Sequence, residues 1–199
     1  MADVTTLRAV TGMSPQPAPL KESALLMIDL QNTYREGLMK LTGVEPAILE
    51  AQTLLKRARE AGIPIFHVRH DAGAGSPYDV SAPIGQISDE VAPDGDEPVI
   101  TKNYPSAFVG TDLQARLESA GVKNLIVAGF MTHMCVNSTA RSAFSLGFSP
   151  TVVASATATR DLPGPDGSVV PATALQSASL AALGDLFAVV ASKADDIPG

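Results

Sequence analysis

The chain has 199 residues, of which 45% are hydrophobic, and its 14 basic and 21 acidic side chains give a formal net charge of −7. That length fits one domain with a substantial core, and the negative charge argues against nucleic acid as a partner because phosphate groups would be repelled. The single cysteine, Cys135, excludes an intramolecular disulfide and a multi-cysteine metal centre.

The N-terminal segment, residues 1–22, has neither the apolar centre of a secretory signal nor a membrane-spanning length of apolar residues. We therefore expect a cytoplasmic protein that has no membrane partner. Three prolines within residues 13–19 favour an extended arm over a helix. We predict a Pro-rich arm over residues 1–22, which packs on a neighbouring subunit or lies on the surface as an ordered tail, followed by a single domain over residues 23–199.

Strands and helices are predicted to alternate along this domain. Residues 24–30 form a continuous apolar run broken only by Asp29, as expected of a strand covered on both faces. Residues 45–60 have the apolar spacing of a helix, which Gly62 ends. The remaining strands are predicted at residues 63–68, 98–101, 124–128, 151–154 and 186–190, and the remaining helices at 111–120, 135–146 and 171–183.

This alternation predicts an α/β fold: a three-layer sandwich with a doubly wound, mostly parallel six-stranded sheet and helices on both faces. Thr111 and Gln114 are predicted to form a capping box at the start of their helix. Residues 70–97, rich in Gly, Pro and Asp, are predicted to form a loop that serves as a lid or a subunit contact. In such folds, ligands bind at the carboxyl ends of the strands.

Three reactive side chains fall at that edge. Asp29 is the penultimate residue of the first strand, Lys102 directly follows the third strand, and Cys135 starts the helix after the fourth. If Thr132 caps that helix, the helix dipole lowers the pKa of the Cys135 thiol. Asp29, Lys102 and Cys135 together offer a base, a cation and a nucleophile. The structural alternatives are a buried Asp29–Lys102 ion pair and a small buried cysteine.

Three separated segments, residues 24–34, 100–113 and 127–148, resemble the signature segments of the isochorismatase-like cysteine hydrolases. They have the same order and spacing, and the match extends over roughly residues 22–192. Because true isochorismatases lack the nucleophilic cysteine, Cys135 places the chain with the amidase-like branch.

The resemblance implies a catalytic triad. Asp29 would be the general base, Lys102 the stabilising charge and Cys135 the nucleophile that forms a thioester while a C–N bond is cleaved and ammonia or an amine is released. It also implies a cis peptide bond between Phe130 and Met131, an oxyanion hole made of the Met131 and Cys135 N–H groups, and a homo-oligomer, either a dimer or a tetramer. The substrate would be a small molecule.

No metal or other cofactor is expected. Metal-dependent nicotinamidases carry an Asp-x-His pair and a second histidine after the second strand. Here His67 and His70 are three residues apart, and on a strand they point to opposite faces. The absence of that metal site puts nicotinamide in doubt as the substrate.

A second group of side chains is predicted to line the substrate pocket, with ordinary packing or structural hydrogen bonding as the alternative for each: Gln31, Tyr34, Tyr104, Phe108 and His133. Arg69 and Arg160 could receive an anionic group, but are left out of the site because such arginines more often cover a surface. Two other functions stay open: a binding or structural protein without turnover, and a thiol-redox protein that uses an external thiol.

Overall fold

The computed structural model describes residues 4–199, so the first three residues of the predicted arm lie outside the described part. The helices are α1 (Leu7–Val10), α2 (Val44–Ala61), α3 (Leu113–Ser119), α4 (Asn137–Ser145) and α5 (Ala172–Gly184). The strands are β1 (Ser23–Ile28), β2 (Ile65–His70), β3 (Val99–Lys102), β4 (Asn124–Phe130), β5 (Ser149–Ala158), β6 (Leu162–Pro163), β7 (Val169–Val170) and β8 (Val189–Ala191).

Six strands form one sheet in the order β3-β2-β1-β4-β5-β8, and every neighbouring pair in it is parallel. The chain builds outward from β1 to one edge and then returns to β4 to build the other half. The connections therefore diverge between β1 and β4, which opens a crevice at the carboxyl ends of these two strands. The predicted doubly wound fold is confirmed.

The sheet carries an apolar core on each face. In β1, Leu25 and Met27 belong to the core that α2 covers, whereas Leu26 and Ile28 belong to the core that α3 and α4 cover. All six residues of β1 are buried. This two-sided burial explains why the strand is an unbroken apolar run in the sequence.

Gly129 allows β1 and β4 to approach closely at the crevice. It has φ +130°, and a Cβ built on it would lie 1.8 Å from the carbonyl oxygen of Ile28. Any side chain at this position would collide with the backbone of β1. The glycine thus sets the spacing between the residue after β1 and the segment after β4.

The capping box predicted at Thr111 and Gln114 is wrong. Helix α3 begins at Leu113 with Asp112 at its N-cap. The Thr111 hydroxyl donates to the carbonyl of Ala107 (2.5 Å), and the Gln114 amide donates to Glu118 (2.8 Å). Because each side chain donates its hydrogen bond elsewhere, the reciprocal hydrogen bonds of a capping box do not form. The strand predicted at residues 151–154 is longer than predicted, since β5 covers Ser149–Ala158. The strand predicted at residues 186–190 is β8, which starts three residues later, at Val189.

Residues 4–22 lie against the C-terminal part of the same chain and include the short helix α1, which the sequence did not predict. The Arg8 N–H donates to the carbonyl of Asp185 (2.7 Å), and the Leu20 N–H donates to the carbonyl of Pro198 (2.7 Å). Both alternatives for the arm, an ordered surface tail and a contact with a neighbouring subunit, stay predictions. Within residues 4–199 no helix has both the length and the hydropathy needed to cross a membrane.

Candidate active site

The fold brings Asp29, Lys102 and Cys135 into contact at the carboxyl end of the sheet. Lys102 Nζ lies 2.7 Å from Asp29 Oδ2 and 3.3 Å from Cys135 Sγ. The three residues are 0%, 1% and 5% exposed, respectively. Lys102 starts from β3, two strands away from β1, so its side chain crosses the end of β2 to reach Asp29. Lys102 therefore contacts both Asp29, which follows β1, and Cys135, which follows β4.

Asp29 is held by its backbone in an uncommon conformation. It directly follows β1 and has φ +50°, in the left-handed region that most residues with a side chain avoid. Its N–H donates to the carbonyl of Val68 (2.8 Å), and its own carbonyl accepts from the Gln31 N–H (2.8 Å). Such conformations persist where the surroundings fix them, and they concentrate at functional sites.

Cys135 lies on a turn of π-helix, Thr132–Val136, which precedes α4. The Val136 N–H donates to the carbonyl of Met131 (3.2 Å), five residues back, and the bond between Phe130 and Met131 is cis. The predicted N-cap role of Thr132 is wrong, because its hydroxyl donates to the carbonyl of Ala158 (3.0 Å) on β5. π-Helical turns are frequent at functional sites.

The predicted lowering of the thiol pKa is also wrong. Burial, followed by the charge of Asp29, raises the pKa of Cys135 to about 12, although Lys102 acts in the opposite direction. Burial also raises the pKa of Asp29 from its ordinary value, against the lowering effects of Lys102 and Cys135. The thiol is therefore protonated at rest and lies beside a carboxylate whose affinity for a proton is increased.

His70 is a neighbour of the triad, and the sequence analysis discussed it only as a possible metal ligand. It ends β2, and its Nδ1 lies 3.3 Å from Lys102 Nζ. Burial and the charge of Lys102 lower the pKa of His70. A neutral imidazole with an unprotonated Nδ1 accepts a hydrogen bond from the ammonium and holds it over the end of β2.

Gln31, one of the predicted pocket residues, forms hydrogen bonds that fit the structural alternative. Its side chain is completely buried, and its amide forms hydrogen bonds with both backbone groups of His70 and with the carbonyl of Gly85. Its amide nitrogen and oxygen both have backbone partners. Gln31 thereby ties the end of β2 to the long loop that follows it.

That long loop covers the triad. Tyr78, in the loop, packs edge-to-face on Tyr34 (ring centroids 5.8 Å apart) and on His70 (5.1 Å), and Tyr34 packs in turn on Phe130 (5.7 Å). Farther along, the Ser88 N–H donates to the carbonyl of Leu30 (2.9 Å). Of the predicted pocket residues, Tyr34 lies at the site, and Tyr78 is an addition from the loop.

The other predicted pocket residues are Tyr104, Phe108 and His133. Tyr104 is 58% exposed, and Phe108 stacks on Phe148 with ring centroids 5.8 Å apart. His133 Nδ1 lies 2.5 Å from Thr159 Oγ1, so its imidazole forms a hydrogen bond with the residue that follows β5 and not with the thiol. The stacking of Phe108 agrees with the packing alternative, whereas the exposure of Tyr104 supports neither packing nor a role at the triad.

The two histidines of β2 are engaged separately. His67 Nε2 lies 2.8 Å from Glu97, whereas His70 meets Lys102. Among residues 4–199, no group of three or more His, Cys, Asp or Glu side chains is arranged to hold a metal ion. A cleft of about 470 Å³ near Glu97 lies at the amino end of β2 and contains none of the triad residues.

Comparison with known proteins adds a family assignment to this geometry. The model of the isochorismatase domain matches residues 23–195. A secreted isochorismatase effector from Verticillium dahliae is 35% identical, with 96% of this chain and 99% of that protein covered. Nicotinamidase 3 from Arabidopsis thaliana is 33% identical, with 70% and 74% covered. The crystal structure of an isochorismatase from Pseudomonas putida superimposes with a TM-score of 0.93 at 39% identity, covering 98% of this chain and 99% of that one.

Proposed function

The chain belongs to the isochorismatase family of hydrolases, and from this membership we propose that it is a metal-independent cysteine hydrolase that cleaves the C–N bond of a small amide. The observation that carries the proposal is the contact of one ammonium with both a carboxylate and a thiol, at 2.7 Å and 3.3 Å. These are the base, charge and nucleophile that covalent catalysis requires. The amidase named among the relatives supports an amide as substrate.

In the first half of the proposed reaction, Asp29 takes the proton from Cys135 as the sulfur attacks the carbonyl carbon. The raised pKa values of both groups support this order, because the thiol keeps its proton until a base removes it. The oxyanion of the tetrahedral intermediate accepts hydrogen bonds from the N–H groups of Met131 and Cys135. Collapse breaks the C–N bond, and Asp29 returns the proton to the leaving nitrogen.

In the second half, water hydrolyses the thioester. The Asp29 carboxylate takes a proton from the water as its oxygen attacks the thioester carbonyl. The C–S bond then breaks, the sulfur regains a proton from Asp29, and the carboxylic acid leaves. Lys102 stays an ammonium throughout and stabilises the negative charge that passes between the carboxylate and the sulfur.

Substrate entry requires the loop above the triad to move, since Cys135 is only 5% exposed. We propose residues 72–82 as the moving part, because Asp71 is held by Lys102 (2.9 Å), Pro83 by Asn32 (2.9 Å) and Gly85 by Gln31 (2.7 Å). The stretch around Gly73 and Gly75, both with positive φ, is exposed, whereas the chain from Ile87 is joined to Gln31 by a backbone bridge. Movement of Tyr78 would uncover the space above Tyr34 and His70.

The test is ammonia release from a panel of small primary amides in the presence of a chelator. We expect hydrolysis that the chelator does not reduce, because the nucleophile is a side chain and needs no metal-bound water. The panel includes nicotinamide, which we expect to be a poor substrate. Hydrolysis that disappears with the chelator and returns with added zinc would contradict the proposal.

We also propose that the protein is a homo-oligomer, a dimer or a tetramer, and that it acts in the cytoplasm, where its cysteine stays reduced. Family membership supports the first point. The proposed cytoplasmic location is made for this chain alone and does not extend to its relatives, because one that is 35% identical is described as secreted. Light scattering coupled to gel filtration and fractionation of the source cells test these two points separately.

A further inference from the structure

A third side chain contacts the ammonium group of Lys102, besides the base and the nucleophile. Lys102 Nζ lies 2.7 Å from Asp29 Oδ2, 3.3 Å from Cys135 Sγ and 3.3 Å from His70 Nδ1. An ammonium group has three protons and no lone pair, so a nitrogen that forms a hydrogen bond with it has to be the acceptor. The imidazole of His70 therefore belongs to the immediate surroundings of the cation.

The backbone of His70 is fixed on both of its polar groups. His70 is paired with Lys102 in the parallel register of β2 and β3, so the two side chains lie on the same face of the sheet. Gln31, two residues after Asp29, accepts a hydrogen bond from the His70 N–H (2.9 Å) and donates one to the His70 carbonyl (3.0 Å). The segment that carries the base thus also fixes the position of the imidazole.

The imidazole offers a lone pair to the ammonium in one form only. Burial and then the charge of Lys102 lower the pKa of His70, whereas Asp29 and Asp71 raise it with smaller effects. These charged groups act on the ring from β3, from the residue after β1 and from the residue after β2. The ring is therefore neutral near neutral pH, and its role as acceptor at Nδ1 places its proton on Nε2.

The other two partners of Lys102 change during the proposed reaction. In the tetrahedral intermediate, Asp29 carries the proton that came from the thiol, and the sulfur of Cys135 is bonded to the substrate carbon, so neither group is an anion. Lys102 is only 1% exposed, and a buried cation is costly when its neighbours lose their negative charge. The lone pair on His70 Nδ1 is the acceptor that stays the same in every step.

We propose that His70 is a positioning residue: its Nδ1 accepts a hydrogen bond from Lys102 throughout the reaction and keeps the ammonium beside Asp29 and Cys135 while their charges change. This inference rests on the proposed function and adds a residue to it. His70 acts through Lys102 and exchanges no proton with the substrate. The same ring also packs against Tyr78 of the covering loop, with ring centroids 5.1 Å apart, so the experiment has to separate these two contacts.

Two substitutions of similar size separate them. His70→Asn keeps an acceptor bonded to Cγ, where Nδ1 is bonded in histidine, but removes the ring against which Tyr78 packs. His70→Leu offers Tyr78 an apolar surface and has no acceptor. We expect His70→Leu to lower kcat for the best amide by about 10- to 100-fold, as for the loss of a hydrogen bond to a charged group, with KM changed less than about 3-fold. His70→Asn should stay within about 3-fold of wild type in both constants.

Arg69→Leu is the matched control. Arg69 precedes His70 in β2, points to the opposite face of the sheet and donates to Thr101 (3.0 Å). This variant should keep kcat and KM within about 2-fold of wild type. Full activity of His70→Leu together with loss of activity in His70→Asn would assign His70 to packing beneath Tyr78 and overturn the proposal, and equal losses in the two variants would overturn it as well.

A reaction without substrate distinguishes failure of this proposal from failure of amide hydrolysis. If wild type hydrolyses no amide, His70→Leu should still slow the alkylation of Cys135 by iodoacetamide about tenfold near neutral pH, because Lys102 no longer stabilises the charge on sulfur as well. His70→Asn should react at nearly the wild-type rate. Equal alkylation rates in wild type and His70→Leu would overturn the positioning role whether or not amides are hydrolysed.

The tautomer of His70 decides the matter if neither variant folds. The chain has three histidines, so the ring signals in a nitrogen–proton correlation spectrum of wild type can be assigned by replacing the other two, His67 and His133, in turn. We expect His70 to carry its proton on Nε2 and none on Nδ1. A proton on Nδ1 near neutral pH would overturn the proposal, because that nitrogen could not then accept from Lys102.

Discussion

Replacing Cys135 by alanine should abolish amide hydrolysis, with an expected loss of about 10⁴-fold or more in kcat. The sulfur is the atom that forms the covalent bond, and water would have to replace it without the contact to Lys102 that holds the thiol at 3.3 Å. Cys135→Ser should lose nearly as much, because a hydroxyl in this buried position gives up its proton less readily than a thiol. Ammonia release with the best substrate from the panel measures both variants.

Met134→Ala is the matched control for this substitution. Met134 lies in the same π-helical turn, but is 39% exposed, so the change should leave kcat within about 2-fold. The melting temperature of each variant shows whether the turn survives. Activity of Cys135→Ala above a tenth of wild type, in a folded protein, would rule out the nucleophile assigned here.

Replacing Lys102 by methionine should destabilise the fold by about 3–5 kcal/mol, the usual result of removing one partner of a buried ion pair. Asp29 is 0% exposed, and within residues 4–199 neither of its carboxylate oxygens receives another hydrogen bond of good geometry. For a protein of this size the expected fall in melting temperature is about 10 °C. Hydrolysis should be lost as well, because the carboxylate loses the cation that keeps it ionised.

The pH dependence of this destabilisation has a definite sign. Lys102 lowers the pKa of Asp29, so its removal raises that pKa further above the unfolded value. The folded variant then binds more protons than the unfolded chain, and stability falls as pH rises above about 4, the ordinary carboxyl pKa. Lys102→Met should therefore be closest to wild type in acid and farthest from it near neutral pH.

Two further variants separate the ion pair from general effects of the substitution. Lys102→Met/Asp29→Asn removes both charges and should recover most of the stability, but no activity. Lys123→Met changes an exposed lysine at the opposite edge of the sheet and should alter stability by less than about 0.5 kcal/mol. Equal stability of Lys102→Met and Lys123→Met would contradict the buried pair.

The architecture was predictable because burial leaves a direct mark on the sequence. The apolar run containing β1 and the helical spacing in α2 both follow from which faces the core covers. The errors fall where a polar side chain had two partners to choose from. Thr111 and Thr132 both resemble helix caps, yet each donates to a carbonyl that is distant in sequence or in the preceding turn.

The site was predictable as a set of residues but not in its electrostatics. Asp29, Lys102 and Cys135 were placed together because they follow strands of one parallel sheet. The rise in the pKa of Cys135 depends on burial and on the charge of Asp29, and the extent of that burial has no recognisable sequence pattern. Tyr78 was missed for the same reason, since nothing in a Gly- and Pro-rich loop indicates which aromatic side chain folds back over the triad.

Arg160 shows a different limit. Its position after a strand was visible in the sequence, but surface arginines have similar positions. What distinguishes it is that it has no partner among the described residues and that its Nε is buried, and a sequence contains neither fact. Arg69, which lies within β2, donates to Thr101 instead.

The measurement that tests the central claim most directly is the rate of Cys135 alkylation by iodoacetamide as a function of pH, followed by intact mass, in wild type and in Asp29→Asn. If Asp29 takes the proton from the thiol, the wild-type rate should be nearly constant from mildly acidic to mildly basic pH, and the rate of Asp29→Asn should rise with pH as its thiol ionises. A wild-type rate that rises about tenfold per pH unit over this range, with the same profile in Asp29→Asn, would contradict the claim.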